Sequence, residues 1–226
     1  VPWGDKVATL RFPLFGCFLT IAAVLNSFAF DYTARARVGG LQVDQHILYP
    51  SPVPSPEPIC KNRSLHLYSL SLGMPHAAYA PDWVRLWSDV VAEGAVPHSA
   101  WQWLWALTAH ERVRLRCILD AIVAELYGLD WDDLAWILRE CDYPVETLRD
   151  TAFTRTLDPK GFWRVDKDKD PELRHTVLTL AAFRDLKETI ASEGDRDKGI
   201  EAFCALNKGE GWMLPETLRL ADLGLG

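Results

Sequence analysis

The sequence predicts a mainly α-helical protein of the α+β class: a small N-terminal helix-plus-strand segment, then a larger helical domain containing an αα-hairpin. Three observations predict it. Leu115, Ile118, Leu119, Ile122, Val123 and Leu126 recur at steps of three and four, which marks one helical face. Phe18, Ile21, Leu25, Phe28 and Tyr32 do the same upstream. Between them lies PSPVPSPEP, residues 50–58, a run that excludes helix and favours polyproline II. It divides the chain into residues 1–57 and 58–226.

In chain order, KVATLRF (6–12) alternates in the manner of a strand. Residues 17–38 read as one helix, with Asp31 and Arg35 paired at i,i+4 and Gly39 as its stop. LQVDQHILY (41–49) reads as extended. PDWVRLWSDVVAEG reads as a short helix opening at Pro81 or Asp82 and closing at Gly94. Gly128 ends the helix through Leu115 and Leu126. Asp130 then caps a second helix, with Asp133 three residues on and Leu134, Ile137, Leu138 and Cys141 facing inward. After the polar stretch DPKGFWRVDKDKD, Asp170 caps and Pro171 opens a helix running to about Ile190. A short helix near 200–206 and another from Pro215 complete the chain.

Composition narrows the functional classes. With 226 residues, 49% hydrophobic and 24% charged, the chain can bury a real core. Ten tryptophans imply large flat contacts. A net charge of −7 counts against a free-standing nucleic-acid binder, although local patches matter more than the sum. Cys17, Cys60, Cys117, Cys141 and Cys204 are odd in number and widely spaced, a pattern expected of reduced thiols in a cytoplasmic protein. The six histidines show no metal-ligand spacing. The apolar run LFGCFLTIAAVLNSFAF is at the lower limit for a membrane span. Asn26 and Ser27 interrupt it, and Thr20, Ser27 and Asp31 form a polar face, so insertion is not expected. No signal-peptide pattern is present either.

The sequence contains no P-loop, G-x-G-x-x-G, G-x-S-x-G, H-E-x-x-H or Asn-Pro-Pro-aromatic motif. Asp132 and Asp133 sit where a helix dipole favours acids, so they read as cap residues. They also argue against a helix-turn-helix at ILDAIVAELYGLDWDDLAWIL, whose second helix would point carboxylates at a polyanion. Two segments carry nucleic-acid chemistry. In the first, Arg35 and Arg37 end a helix about 200° apart and precede Gly39 and Gly40. Gln42, Asp44, Gln45 and His46 follow, with groups suited to base edges. The alternative reading is a capped helix and solvated loop. In the second, Lys160, Trp163, Arg164 and Lys167 mix cations with an aromatic ring among acidic neighbours, or form a solvated charged loop.

AAVLNSFAFDYTARARVGGLQVDQHILYPSPVPSP resembles a segment near the C-terminus of bacterial restriction–modification DNA methyltransferases that modify the exocyclic amine of adenine. ERVRLRCILDAIVAELYGLDWDDLAWIL and DPKGFWRVDKDKDPELRHTVLTLAAFRDL are similar to the helical hairpin and tail of the same proteins. The family often has Asn where this chain has Asp44, and its methyl-donor and catalytic motifs are absent here. The resemblance implies a target-recognition and scaffold fragment, residues 1–57 being the distal part of the recognition segment. It implies contact with double-stranded DNA through Arg35, Arg37, Gly39, Gly40, Gln42, Lys160, Trp163, Arg164 and Lys167. The fragment would be inactive alone and without cofactor; S-adenosylmethionine would belong to a catalytic domain supplied in cis or trans. The competing expectation is a non-enzymatic helical protein-interaction module or a decayed gene remnant.

Overall fold

The computed structural model describes residues 15–39, 49–55, 62–90 and 98–225. These form ten α-helices: α1 (Phe15–Leu25), α2 (Phe28–Arg37), α3 (Arg63–Gly73), α4 (Ala80–Val90), α5 (Ala109–Leu126), α6 (Trp131–Ile137), α7 (Val145–Arg149), α8 (Thr151–Thr154), α9 (His175–Glu193) and α10 (Arg196–Gly209). The mainly helical expectation holds. Among the described residues there is no strand, and the helix-plus-strand segment is not supported. Residues 6–12 and 41–48 lie outside the described residues, and Tyr49 is in a turn.

The expected single helix over 17–38 is two. Periodicity runs through Asn26 and Ser27, but local hydrogen bonding overrides it. Ser27 has extended torsions, its Oγ donates to the Val24 carbonyl at 2.7 Å, and the same oxygen accepts the Phe30 N–H at 3.2 Å. The Asn26 amide donates back to the Ala22 carbonyl at 2.7 Å. One serine therefore ends α1 and caps α2.

The hairpin forms as its spacing predicts. Thr108 caps α5, Gly128 turns with φ 75°, and Asp130 and Asp133 exchange both bonds of a capping box at the start of α6. Leu134, Ile137, Leu138 and Cys141 are buried. Asp170, by contrast, caps no helix. Pro171 opens a single 3-10 turn, Pro171–Leu173, and α9 begins only at His175. No α-helix starts at Pro215; a 3-10 turn, Leu220–Leu223, follows instead. Helix α3, unexpected from its mixed periodicity, is capped by Asn62 and buries Leu65, Tyr68 and Leu70.

Helix α9 lies against α5 and α10 at the centre. The main core joins Ile118, Ile122 and Val123 of α5 to Val177, Phe183 and Leu186 of α9 and Ile200 and Phe203 of α10. Val24, Phe28 and Phe30 enter the same core from α1 and α2, and Leu65 enters it from α3. Trp83 and Trp87 anchor a second cluster with Leu19 and Leu70. The proline-rich segment is fastened through carbonyls that no regular structure uses. Tyr127 Oη donates to the Pro52 carbonyl at 2.9 Å, and Arg37 donates to the Pro50 carbonyl at 2.5 Å.

Two contacts fix the helix arrangement. Asp120, buried on α5, accepts the Phe28 N–H at 2.9 Å through Oδ1 and places Oδ2 2.9 Å from His175 Nε2. One carboxylate thus meets the starts of α2 and α9. At Gly199 on α10 the helices come so close that a Cβ would lie 2.5 Å from the Ile190 Cα. Among the described residues no helix is long and apolar enough to cross a membrane.

Asp120→Ala should lower unfolding free energy by about 2–4 kcal/mol, because it strands the buried Phe28 N–H and removes the carboxylate beside the buried His175 ring. Asp120→Asn, which keeps the Oδ1 acceptor, should lose less. Urea denaturation measures both, and an alanine variant within about 0.5 kcal/mol of the parent would refute the role. Gly199→Ala should cost about 1–3 kcal/mol by overpacking in the same assay.

Candidate nucleic-acid interface

The C-terminal end of α2 meets the loop that follows Leu157, and the contact is made of charged side chains and backbone carbonyls. Arg35 reaches its loop partner because α2 carries it one turn beyond Asp31, with which it pairs at 2.8 Å. Its guanidinium also donates to the Lys160 carbonyl at 3.1 Å and the Gly161 carbonyl at 3.3 Å. It stacks 4.2 Å above the Phe162 ring. Lys160 returns the contact, its Nζ donating to the Val38 carbonyl at 3.1 Å. The loop holds its own shape by an Asx turn: Asp158 Oδ1 accepts the Lys160 N–H at 2.8 Å, and the Asp158 carbonyl accepts the Gly161 N–H at 3.0 Å.

Arg139 joins from just beyond α6. Its guanidinium lies 4.4 Å above Trp136 and pairs with Asp158 at 2.5 Å. A notch of about 160 Å³ remains between Arg35, Arg139, Lys160, Tyr32 and Phe162. Glu140, with φ 67°, accepts the Asp158 N–H at 3.0 Å. Arg35, Arg139 and Lys160 line the notch at this corner, with Asp31 and Asp158 paired to the two arginines. Arg37 donates to Pro50 and Ser51, and Arg164 donates to the Pro159 carbonyl and covers Trp163.

The structure separates the sequence-predicted residues into three groups. Arg35 and Lys160 are brought together, with Arg37 and Gly39 beside the one and Arg164 beside the other along the chain; Arg37, Gly39, Lys160 and Arg164 are exposed and Arg35 is half-buried. Lys160 engages one of its three N–H donors, and Arg37 and Arg164 keep most of theirs. Trp163 does not offer a stacking face. It is 4% exposed and packs with Leu148 and Leu157. Its indole N–H donates to the Asp158 carbonyl at 2.8 Å, and Arg164 covers it at 4.1 Å. Alternating charge around an aromatic pair therefore marks a loop pinned to the core by Phe162 and Trp163. Lys167 is exposed further along. Gly40 and Gln42, with Asp44, Gln45 and His46, lie outside the described residues.

Sequence reasoning missed Arg139 and Arg174. Neither role has a local signal, because the partners that define it, Asp158 for Arg139 and Cys141 and Tyr143 for Arg174, lie 19 to 33 residues away. Arg174 is wholly buried and, among the described residues, forms no direct ion pair. It donates to the carbonyls of Cys141 and Tyr143 at 2.7 Å, Lys169 at 3.0 Å and Lys167 at 3.3 Å. This ties the charged loop to the turn after α6. Burial lowers the pKa of Arg174 from its ordinary value. Burial works the other way on the Asp166 carboxylate, but the His175 N–H and the Lys169 ammonium outweigh it and hold that group below the usual range.

Cys117, Cys141 and Cys204 are buried free thiols. Burial pushes Cys141 up to about 12 and Cys204 up to about 11, so both are protonated at neutral pH. Among the described residues no cluster of His, Cys, Asp or Glu could hold a metal ion. What the corner can do is pair its exposed guanidinium and ammonium groups with phosphate or carboxylate oxygens. No family model, curated protein or solved structure matches the chain.

Arg35→Ala should cost about 1–2 kcal/mol, since it removes the stack on Phe162 and the bonds to the loop carbonyls. Arg37→Ala, at an exposed position, should stay within about 0.5 kcal/mol. Equal losses in urea denaturation would show that Arg35 does not join α2 to the loop.

Proposed function

We propose that this chain is a DNA-contacting recognition and scaffold region, non-catalytic alone, of an adenine-specific methyltransferase from a restriction–modification or phage-defence system. The observation that carries the DNA part is the cationic corner. The end of α2 and the 158–164 loop, more than a hundred residues apart in sequence, bring Arg35 and Lys160 together beside Arg139, with Arg37 and Arg164 following them along the chain. Phosphate contacts of this kind position a protein on a duplex without reading bases. The motif resemblance at the α1–α2 elbow and the hairpin supports the methyltransferase part. On this reading, the pocket for the flipped adenine and S-adenosylmethionine lies on another polypeptide segment, and the protein works in the cytoplasm.

A second reading is favoured by a different observation. Trp103 is 82% and Leu107 68% exposed beside a cleft of about 570 Å³. Exposed apolar groups of this size mark protein-contact surfaces, as a helical interaction module requires.

Electrophoretic titration with duplex DNA over a salt series separates the two readings. A corner neutralising four or five phosphates should give a log–log salt slope of roughly −4. Arg37→Glu should flatten that slope by about 1 or more and weaken binding uniformly across sequences. Absence of binding at low salt would overturn the DNA reading and favour the interaction module.

A further inference from the structure

A cleft of about 430 Å³ opens at the elbow between α1 and α2, where α3 and α5 form its walls. Phe28, Leu72 and Leu119 give it an apolar lining. Two buried polar atoms belong to its lining residues and lack a hydrogen-bond partner: Ser69 Oγ and His175 Nε2. The His175 ring is more than nine-tenths buried; its Nε2 stands at ion-pair distance from Asp120 but out of line for a hydrogen bond. Asp31 and Asp120 also border the cleft, yet both are engaged, Asp31 by Arg35 and Asp120 by the Phe28 N–H.

Two arginines also line the cleft. Arg112 donates only through Nη1, to the carbonyls of Leu72 and Ala106 at 3.1 Å. Arg116 is exposed and donates only through Nε, to the Arg112 carbonyl at 3.3 Å. Most of their N–H donors have no partner among the described residues, and the two lie one helical turn apart on α5. Apolar walls with a few convergent polar groups are what a small-molecule site needs.

We propose that the elbow cleft binds a small organic anion, a carboxylate or phosphate on an apolar body. The anionic group pairs with Arg116 and Arg112, whose forked donors suit either oxyanion. The apolar body lies against Phe28 and Leu72. The site is built from residues other than the cationic corner and does not rest on the DNA reading.

The test follows the backbone amide resonances of Asn26, Ser69 and Arg116 by NMR while the full chain is titrated with benzoate, phenyl phosphate or neutral benzyl alcohol. Saturable shifts with either anion at millimolar concentration, and none with benzyl alcohol, support the proposal; which anion binds identifies the oxyanion class. Arg116→Ala should weaken that binding about tenfold. Arg116→Gln, which keeps the side-chain stem, should do the same if the alanine variant melts differently from the parent. The proposal is overturned if neither anion saturates, if benzyl alcohol binds equally well, or if folded Arg116 variants bind as the parent does.

Discussion

A single buried carboxylate organises the centre of this protein. Asp120 sits on α5 among side chains that exclude water and accepts the first free N–H of α2. It also stands beside the imidazole that opens α9. A buried carboxylate is costly unless polar groups meet it; α2 supplies the Phe28 N–H, and α9 brings the His175 ring to 2.9 Å. The Phe28 ring then lies between its neighbours, 4.7 Å from His175 and 5.0 Å from Phe162. Phe162 in turn carries the Arg35 guanidinium. The elbow, the central helix pair and the cationic corner are thus linked by one line of contacts starting at Asp120.

The corner is built by a similar economy. Its cations gain their positions by donating to carbonyls that turns leave unpaired, at Val38, Pro50, Pro159, Lys160 and Gly161. Arg174 does the same from inside, holding the charged loop through four carbonyls. A loop dense in charge keeps one conformation because its aromatic pair is buried and its backbone is bonded from beneath. Donors left over at the surface are then fixed in relation to one another, the condition for pairing with a polyanion at low entropic cost.

Features written in local spacing were legible in the sequence. The α5 stripe, the Gly128 turn and the Asp130–Asp133 capping box need only neighbours within one or two turns, and all three appear. Features set by competition were not. Periodicity from Phe18 to Tyr32 runs unbroken through Ser27, yet that serine caps a new helix, because its bonds to Val24 and Phe30 are completed by Asp120 from α5. Trp163 has the composition of a stacking platform and is buried beside Leu157. Whether an aromatic ring faces solvent or core depends on what folds over it, and no window around residue 163 contains that partner.

The sequence alone determined the helical character, the hairpin and the concentration of arginine at the end of the second helix, since these follow from periodicity, capping chemistry and residue type. Only the tertiary structure decided that Arg35 and Lys160 meet beside Arg139, that Trp163 is buried, and that Arg112, Arg116 and the buried Ser69 and His175 border one elbow cleft. Each of those depends on residues from separate helices meeting in space. Such meetings are fixed by burial of apolar faces and by satisfaction of buried polar groups over the whole chain, neither of which local spacing records.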